Sequence, residues 1–250
     1  MENFKFYKEI KSSDPKLIEA FPRLEKLYRK LPETKGCLEN LKECDAWCCF
    51  FQNPQILYVE FLYIWKNILN KLESEEISDI IRSSMINYIT GFTTKGCVLF
   101  HKYEKICRVH GERPYNCYIY GITPEKEFEP RYERMKEMYK DDIGAVIKDQ
   151  CDLISTCKGK KITVEDTNRW WKQLVEIEKF IGVKEENIND DVGGSYRTFH
   201  DHLLLYLMPD DVLEDLQILR ISNDEEKGMA VVEQFISYFK NKLKDGRTKK

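Results

Sequence analysis

The chain has 250 residues, 42% of them hydrophobic and 33% charged, with a formal net charge of −3. There is enough apolar material for a real core, and the near-balance of charge gives no global reason to expect nucleic acid as a partner. The opening run M-E-N-F-K-F-Y-K-E-I lacks the apolar core of a secretory signal, and the longest apolar stretch, Gln55 to Leu69, is too short for a bilayer and carries Glu60 and Lys66.

These features predict a cytoplasmic protein with no membrane association. Nine cysteines are many for such a chain. In a reducing compartment clustered thiols read as metal ligands or redox groups rather than as disulfides.

In chain order, residues 14–31 carry Leu17, Ile18, Phe21, Leu24, Leu27 and Tyr28 at helical spacing. Asp14 is the expected cap, and Pro22 is expected to kink or divide the helix. Residues 55–70 and 75–90 read as two further helices, the first largely buried. From Gly96 to Gly121 the pattern shortens and turn formers accumulate. Val98–Phe100 and Ile106–Val109 read there as two short strands joined by a polar turn at Lys102–Lys105.

Helices return after Pro124. Residues 130–148 form one candidate. Thr163 with Asp166 resembles a capping box ahead of Trp170, Trp171, Leu174, Ile177 and Ile181, and Gly182 closes that stripe. Residues 195–208 and 210–221 read as shorter helices. Ser222 with Glu225 reads as a box opening a last helix through about residue 242. The basic run at 240–250 reads as a solvated tail, strictly so from 243 to 250.

The expected fold is thus mainly α: a helical scaffold with two irregular cysteine-bearing segments and a small β-hairpin. It forms a single domain over 1–250, with a cysteine core at 37–121 and a C-terminal helical region at 125–242.

The first irregular segment, G-C-L-E-N-L-K-E-C-D-A-W-C-C-F-F-Q-N-P, holds Cys37, Cys44, Cys48 and Cys49; the second holds Cys97, Cys107 and Cys117, ten residues apart. Cys44 and Cys48 have the spacing that brings two sulfurs to one side of a helical turn. Loops can bend several such ligands around one centre. These seven cysteines are the candidate metal ligands, and a single buried thiol, by contrast, would be ordinary packing.

Cys151 and Cys157 either extend the site or pack apart from it. His110 is a candidate nitrogen ligand or a plain loop histidine. Arg113 either donates to cluster thiolates or forms a local salt bridge. Trp47 and Tyr115, Tyr118 and Tyr120 could form an apolar shell. His101 is expected in the hairpin turn and exposed, and His200 and His202, two apart on a helix, read as ordinary.

The segments C-D-A-W-C-C-F and G-C-V-L-F-H-K-Y-E-K-I-C-R-V-H-G-E-R-P-Y-N-C-Y resemble a family of cysteine-cluster proteins described as zinc- or iron-chelating. That family carries C-x-x-C-x-x-C-C, followed by C-P-x-L and C-x-I-Y-x-x-R-P-x-x-C-R. Cys97, Cys107, Arg113, Pro114 and Cys117 match in order and spacing, and the resemblance covers residues 37–121. The departures are C-x6-C-x3-C-C in the first motif, His110 in place of a tyrosine and Tyr118 in place of an arginine.

The same cysteine cluster occurs in flagellin lysine-N-methylase, so the resemblance also implies methyl transfer onto protein lysines. No glycine-rich strand–turn–helix for a methyl donor accompanies it; V-G-G-S at 192–195 reads as a loop.

The expectations for function are therefore three. The first is an iron–sulfur protein, 4Fe–4S by preference, with a redox or catalytic role. The second is a zinc-stapled module that presents a surface to a protein partner. The third is a lysine-methylase-like enzyme.

Overall fold

The computed structural model describes residues 13–35, 53–90, 96–101, 103–124, 161–188, 194–222 and 224–247, together with Tyr7, residues 9–11, Cys49, Glu133, Glu137, Ser155, Thr156 and Gly159. The elements are α1 (Pro15–Tyr28), β1 (Thr34–Lys35), β2 (Gln55–Ile56), α2 (Tyr58–Lys71), α3 (Ser74–Thr90), β3 (Phe100–His101), β4 (Ile106–Cys107) and α4 (Tyr115–Ile119). They continue with β5 (Ser155–Thr156), α5 (Val164–Phe180), β6 (Arg197–Thr198), α6 (Phe199–Leu207), α7 (Asp210–Ser222) and α8 (Glu225–Arg247). The fold is mainly α, as the residue pattern predicts, and among the described residues no helix is long and apolar enough to cross a membrane.

α1 begins where Asp14 accepts a hydrogen bond from the Lys16 N–H at 2.8 Å, with Pro15 in the first turn. Its buried face is Leu17, Phe21, Leu24, Leu27 and Tyr28, but Ile18, expected in that stripe, is 77% exposed. Pro22 does not divide the helix. It removes the bond to the carbonyl of Ile18, and since Ile18 and Pro22 are both exposed, that carbonyl lies on the solvent side, where its loss is cheapest.

α2 is the central helix and packs against α1, α5 and α6. Its buried Phe61, Leu62, Ile64, Trp65 and Ile68 join one continuous core that runs through every long helix. α3 organises the other half, where α6, α7 and α8 pack on it. α8 approaches α3 closely at Gly228, where a Cβ would lie 3.1 Å from Ile89 Cγ2. Gly182 at φ +108° terminates the α5 segment, at the residue the sequence pattern indicates.

The α5 capping box at Thr163 and Asp166 is present, with Asp166 N–H to Thr163 Oγ1 at 3.2 Å. The last helix is capped differently from expectation. Ser222 closes α7 and its hydroxyl donates to the Leu219 carbonyl at 3.2 Å, while Asp224 Oδ1 accepts from the Lys227 N–H at 3.1 Å. α8 runs to Arg247, so the basic run is helical over most of its length rather than a tail from 243. Asp224→Ala is expected to destabilise the chain measurably and Ser222→Ala almost not at all. Urea denaturation of the two variants checks this, and equal losses would reinstate Ser222 as the cap.

Three two-stranded antiparallel sheets occur among the described residues. Only β3–β4 is the expected hairpin, pairing Phe100 with Cys107 and His101 with Ile106. The expected strand ends, Val98, Leu99, Arg108 and Val109, lie in turns. β1–β5 and β2–β6 are long-range clasps, pairing Thr34 with Thr156 and Ile56 with Arg197. The candidate helix at 130–148 lies outside the described residues except for Glu133 and Glu137, which are helical.

Candidate cysteine site

Of the seven candidate ligands, Cys49, Cys97, Cys107 and Cys117 are described, all half-buried; Cys37, Cys44 and Cys48 lie outside the described residues, as do Cys151, Cys157 and Trp47. The two cysteine-bearing segments meet directly, for the Cys97 N–H donates to the carbonyl of Cys49 at 2.9 Å. The Cys97 carbonyl in turn accepts from the Phe100 N–H at 3.0 Å, at the first residue of β3, and Cys107 pairs with Phe100 across the hairpin. Cys49, Cys97 and Cys107 are therefore tied through one short stretch of backbone. Among the described residues, no three His, Cys, Asp or Glu side chains are grouped closely enough to hold a metal ion.

Cys117 is delivered by the R-P-x-x-C element. Pro114 precedes the single-turn helix α4, and the Cys117 N–H donates to the Pro114 carbonyl at 2.9 Å. Arg113 Nη1 donates to His110 Nε2 at 2.8 Å, Nη2 donates to Thr34 Oγ1 at 3.2 Å, and the guanidinium lies over the Tyr118 ring at 4.6 Å. Arg113 thereby ties the second segment to β1 at Thr34, three residues ahead of Cys37 in the sequence.

This contact also decides the state of His110. An arginine has only donors to offer, so Nε2 must be the accepting nitrogen of a neutral ring. Burial, with the Arg113 charge beside it, pulls the His110 pKa down to about 4. His110 thus holds Arg113 through its Nε2, and that nitrogen is committed to the guanidinium. His101 is also corrected: it lies in β3, half-buried, and its Nδ1 accepts from the Glu104 N–H at 3.1 Å.

A residue that sequence reasoning treated only as an interruption of an apolar run proves central. Glu60 on α2 is buried, and its carboxylate accepts from the Tyr28 hydroxyl at 2.5 Å, the Tyr115 N–H at 2.7 Å and the Leu57 N–H at 3.0 Å. It thus closes the start of α2 and fixes the start of α4, two residues before Cys117. Burial raises its pKa against the pull of these three donors. Tyr28 carries the link further, its ring 5.0 Å from that of Tyr118. Tyr115 is buried and donates to the Thr167 carbonyl at 3.1 Å, so the aromatic residues here bind α1, α4 and α5 together.

A second buried carboxylate, Glu178 of α5, completes the same helix start, accepting from Tyr58 N–H at 3.0 Å and Val59 N–H at 2.8 Å. Burial, opposed by these bonds and helped by the charge of Glu60, lifts its pKa to about 7. His200 and His202, expected to be ordinary, are fully buried. His202 donates from Nε2 to the Ile56 carbonyl at 3.0 Å and accepts at Nδ1 from the Tyr7 hydroxyl at 2.6 Å. Nε2 thereby joins α6 to β2, and Nδ1 joins it to Tyr7.

The signal for Glu60 was present in the sequence as a lone carboxylate in an otherwise apolar stretch, a group that must find donors if it is buried. Comparison with family models, with curated proteins and with solved structures finds no match for this chain.

Proposed function

We propose that the chain is a metal-binding cysteine-cluster protein whose centre is an iron–sulfur cluster, held on cysteines from 37–49 and 97–117 and serving a redox or catalytic role. The observation that carries this reading is the 2.9 Å bond between Cys97 N–H and Cys49 C=O, which joins the two cysteine-bearing segments.

The chemistry of the neighbourhood fits sulfur ligation. His110 has its Nε2 committed to Arg113 and His101 its Nδ1 to the Glu104 N–H, and the cysteines offer thiolates as donors. Arg108, next to Cys107, and Arg113, within the R-P-x-x-C element, each keep a buried Nε–H with no hydrogen-bond partner among the described residues. Buried donors of this kind call for an acceptor, and thiolate or sulfide sulfur is one that donors of this type commonly serve around clusters. A bound cluster would supply one-electron chemistry. The protein's own part would be to hold the thiolates and to direct these two guanidinium groups, stabilising negative charge on sulfur.

Anaerobic purification followed by iron, sulfide and zinc analysis tests the proposal. Iron and sulfide with visible absorption that bleaches on reduction are expected, and Cys107→Ser or Cys117→Ser should lower the metal content. A colourless protein with stoichiometric zinc would replace the cluster by a structural zinc site. Metal content equal in both variants and the parent would remove these cysteines from the ligand set.

A further inference from the structure

We propose that the groove between α1 and α5 binds a small linear polyphosphate. Its walls are cationic: Arg23, Lys26 and Lys30 from the α1 side and Arg169 and Lys172 from α5. Arg23, Lys26 and Lys30 follow steps of three and four, and Arg169 and Lys172 a step of three, so each side presents its cations along the groove. Glu176 is the one carboxylate of the lining, and Lys179 Nζ lies 3.5 Å from it. On a chain of net charge −3 this is a marked local excess.

Helix packing does not require that charge. The two helices are held together by Leu27 and Ile177, both buried at the base of the groove. The cations above them are all exposed. With Arg23 paired to Glu19 and Arg169 to Asp166, the like charges of Lys26, Lys30 and Lys172 are the ones that an anion in the groove chiefly neutralises.

The form of the site narrows the ligand. The cavity is about 390 Å³, within the range of small-molecule sites. Two guanidinium groups are held in place: Arg23 stacks over Phe180 at 3.8 Å and pairs with Glu19 at 3.1 Å, and Arg169 pairs with Asp166 at 2.5 Å. Planar guanidinium forks match phosphate oxygens, and the lysines add point charges. Lys30 spans the groove to Gln173 Oε1 at 3.3 Å, a weak contact that an anion can displace. No aromatic ring is among the lining residues, so there is no platform for a nucleobase. Recognition rests on closely spaced charges, which a phosphate chain provides.

Titration calorimetry of the full chain with inorganic triphosphate tests the proposal. Saturable binding is expected, weakening as salt is raised. The double variant Lys26→Ala, Lys172→Ala should bind about tenfold more weakly, as the loss of two exposed charge contacts implies. Lys227→Ala, at the start of α8, should bind as the parent does. ATP should bind no more tightly than triphosphate. Unchanged circular dichroism establishes that the variants fold. Absence of binding at low salt, equal affinity in the double variant, or tighter binding of ATP, of citrate or of an oligonucleotide would each overturn the assignment.

Discussion

Glu60→Ala is expected to destabilise the fold by about 3 kcal/mol or more. The substitution leaves three buried donors, the Tyr28 hydroxyl and the Leu57 and Tyr115 N–H groups, without an acceptor. Each orphaned donor costs about 1–3 kcal/mol, and relief of the buried charge offsets only part of the sum. Glu60→Gln keeps one accepting oxygen but turns an amide N–H₂ toward a donor, so its loss should fall between parent and alanine. Urea denaturation gives the magnitudes. Amide hydrogen exchange locates the damage, because the Tyr115 N–H should lose protection first. A loss below about 1 kcal/mol with Tyr115 still protected would show that Glu60 does not hold the start of α4. On the proposed function, metal content should fall along with that protection, since Cys117 sits on the same single turn.

The long helices were legible because each carries several turns of one repeating apolar pattern. α1, α2, α3 and α5 lie where Leu24, Ile64, Ile81 and Leu174 mark their buried stripes. What escaped the sequence depends on partners far away in the chain. β1–β5 and β2–β6 are two residues long on each side, too short for any alternation to register. The cap of α8 was misplaced by two residues because Ser222 and Asp224 are both good caps, and only the packing of α7 uses up the first. Ile18 follows the helical period of its neighbours, yet the groove of α1 faces elsewhere. At the candidate site the cysteines and the R-P-x-x-C element were legible, but their supports were not. Glu60, Thr34 and Tyr28 reach the second segment across separations that no local motif encodes.

The second large effect concerns Glu178 and pH. Its carboxyl in the folded chain has a pKa of about 7, against an ordinary 4.5, because burial disfavours its charged form. Between these values the native state holds a proton that the unfolded chain has lost, so this group's contribution to stability declines as pH rises from about 4.5 through 7. The total is about 3 kcal/mol. Glu60, also raised by burial, acts in the same sense.

The buried histidines act in the opposite sense. His202 falls from 6.5 to about 4 through burial, so the unfolded chain takes up a proton that the native ring refuses, and stability is lost as pH falls from 6.5 through 4. His200 is also lowered by burial. The two effects oppose each other between about 4.5 and 6.5, while above 6.5 the glutamate slope stands alone. Glu178→Gln resembles the protonated carboxyl at all pH values. Its stability relative to the parent should therefore improve as pH rises from about 5 to 8, by up to about 3 kcal/mol. Urea denaturation of both proteins across that range measures the difference. A difference that stays constant with pH would mean that the two backbone N–H groups of α2 keep Glu178 ionised throughout, and that the start of this central helix outweighs the cost of burying its charge.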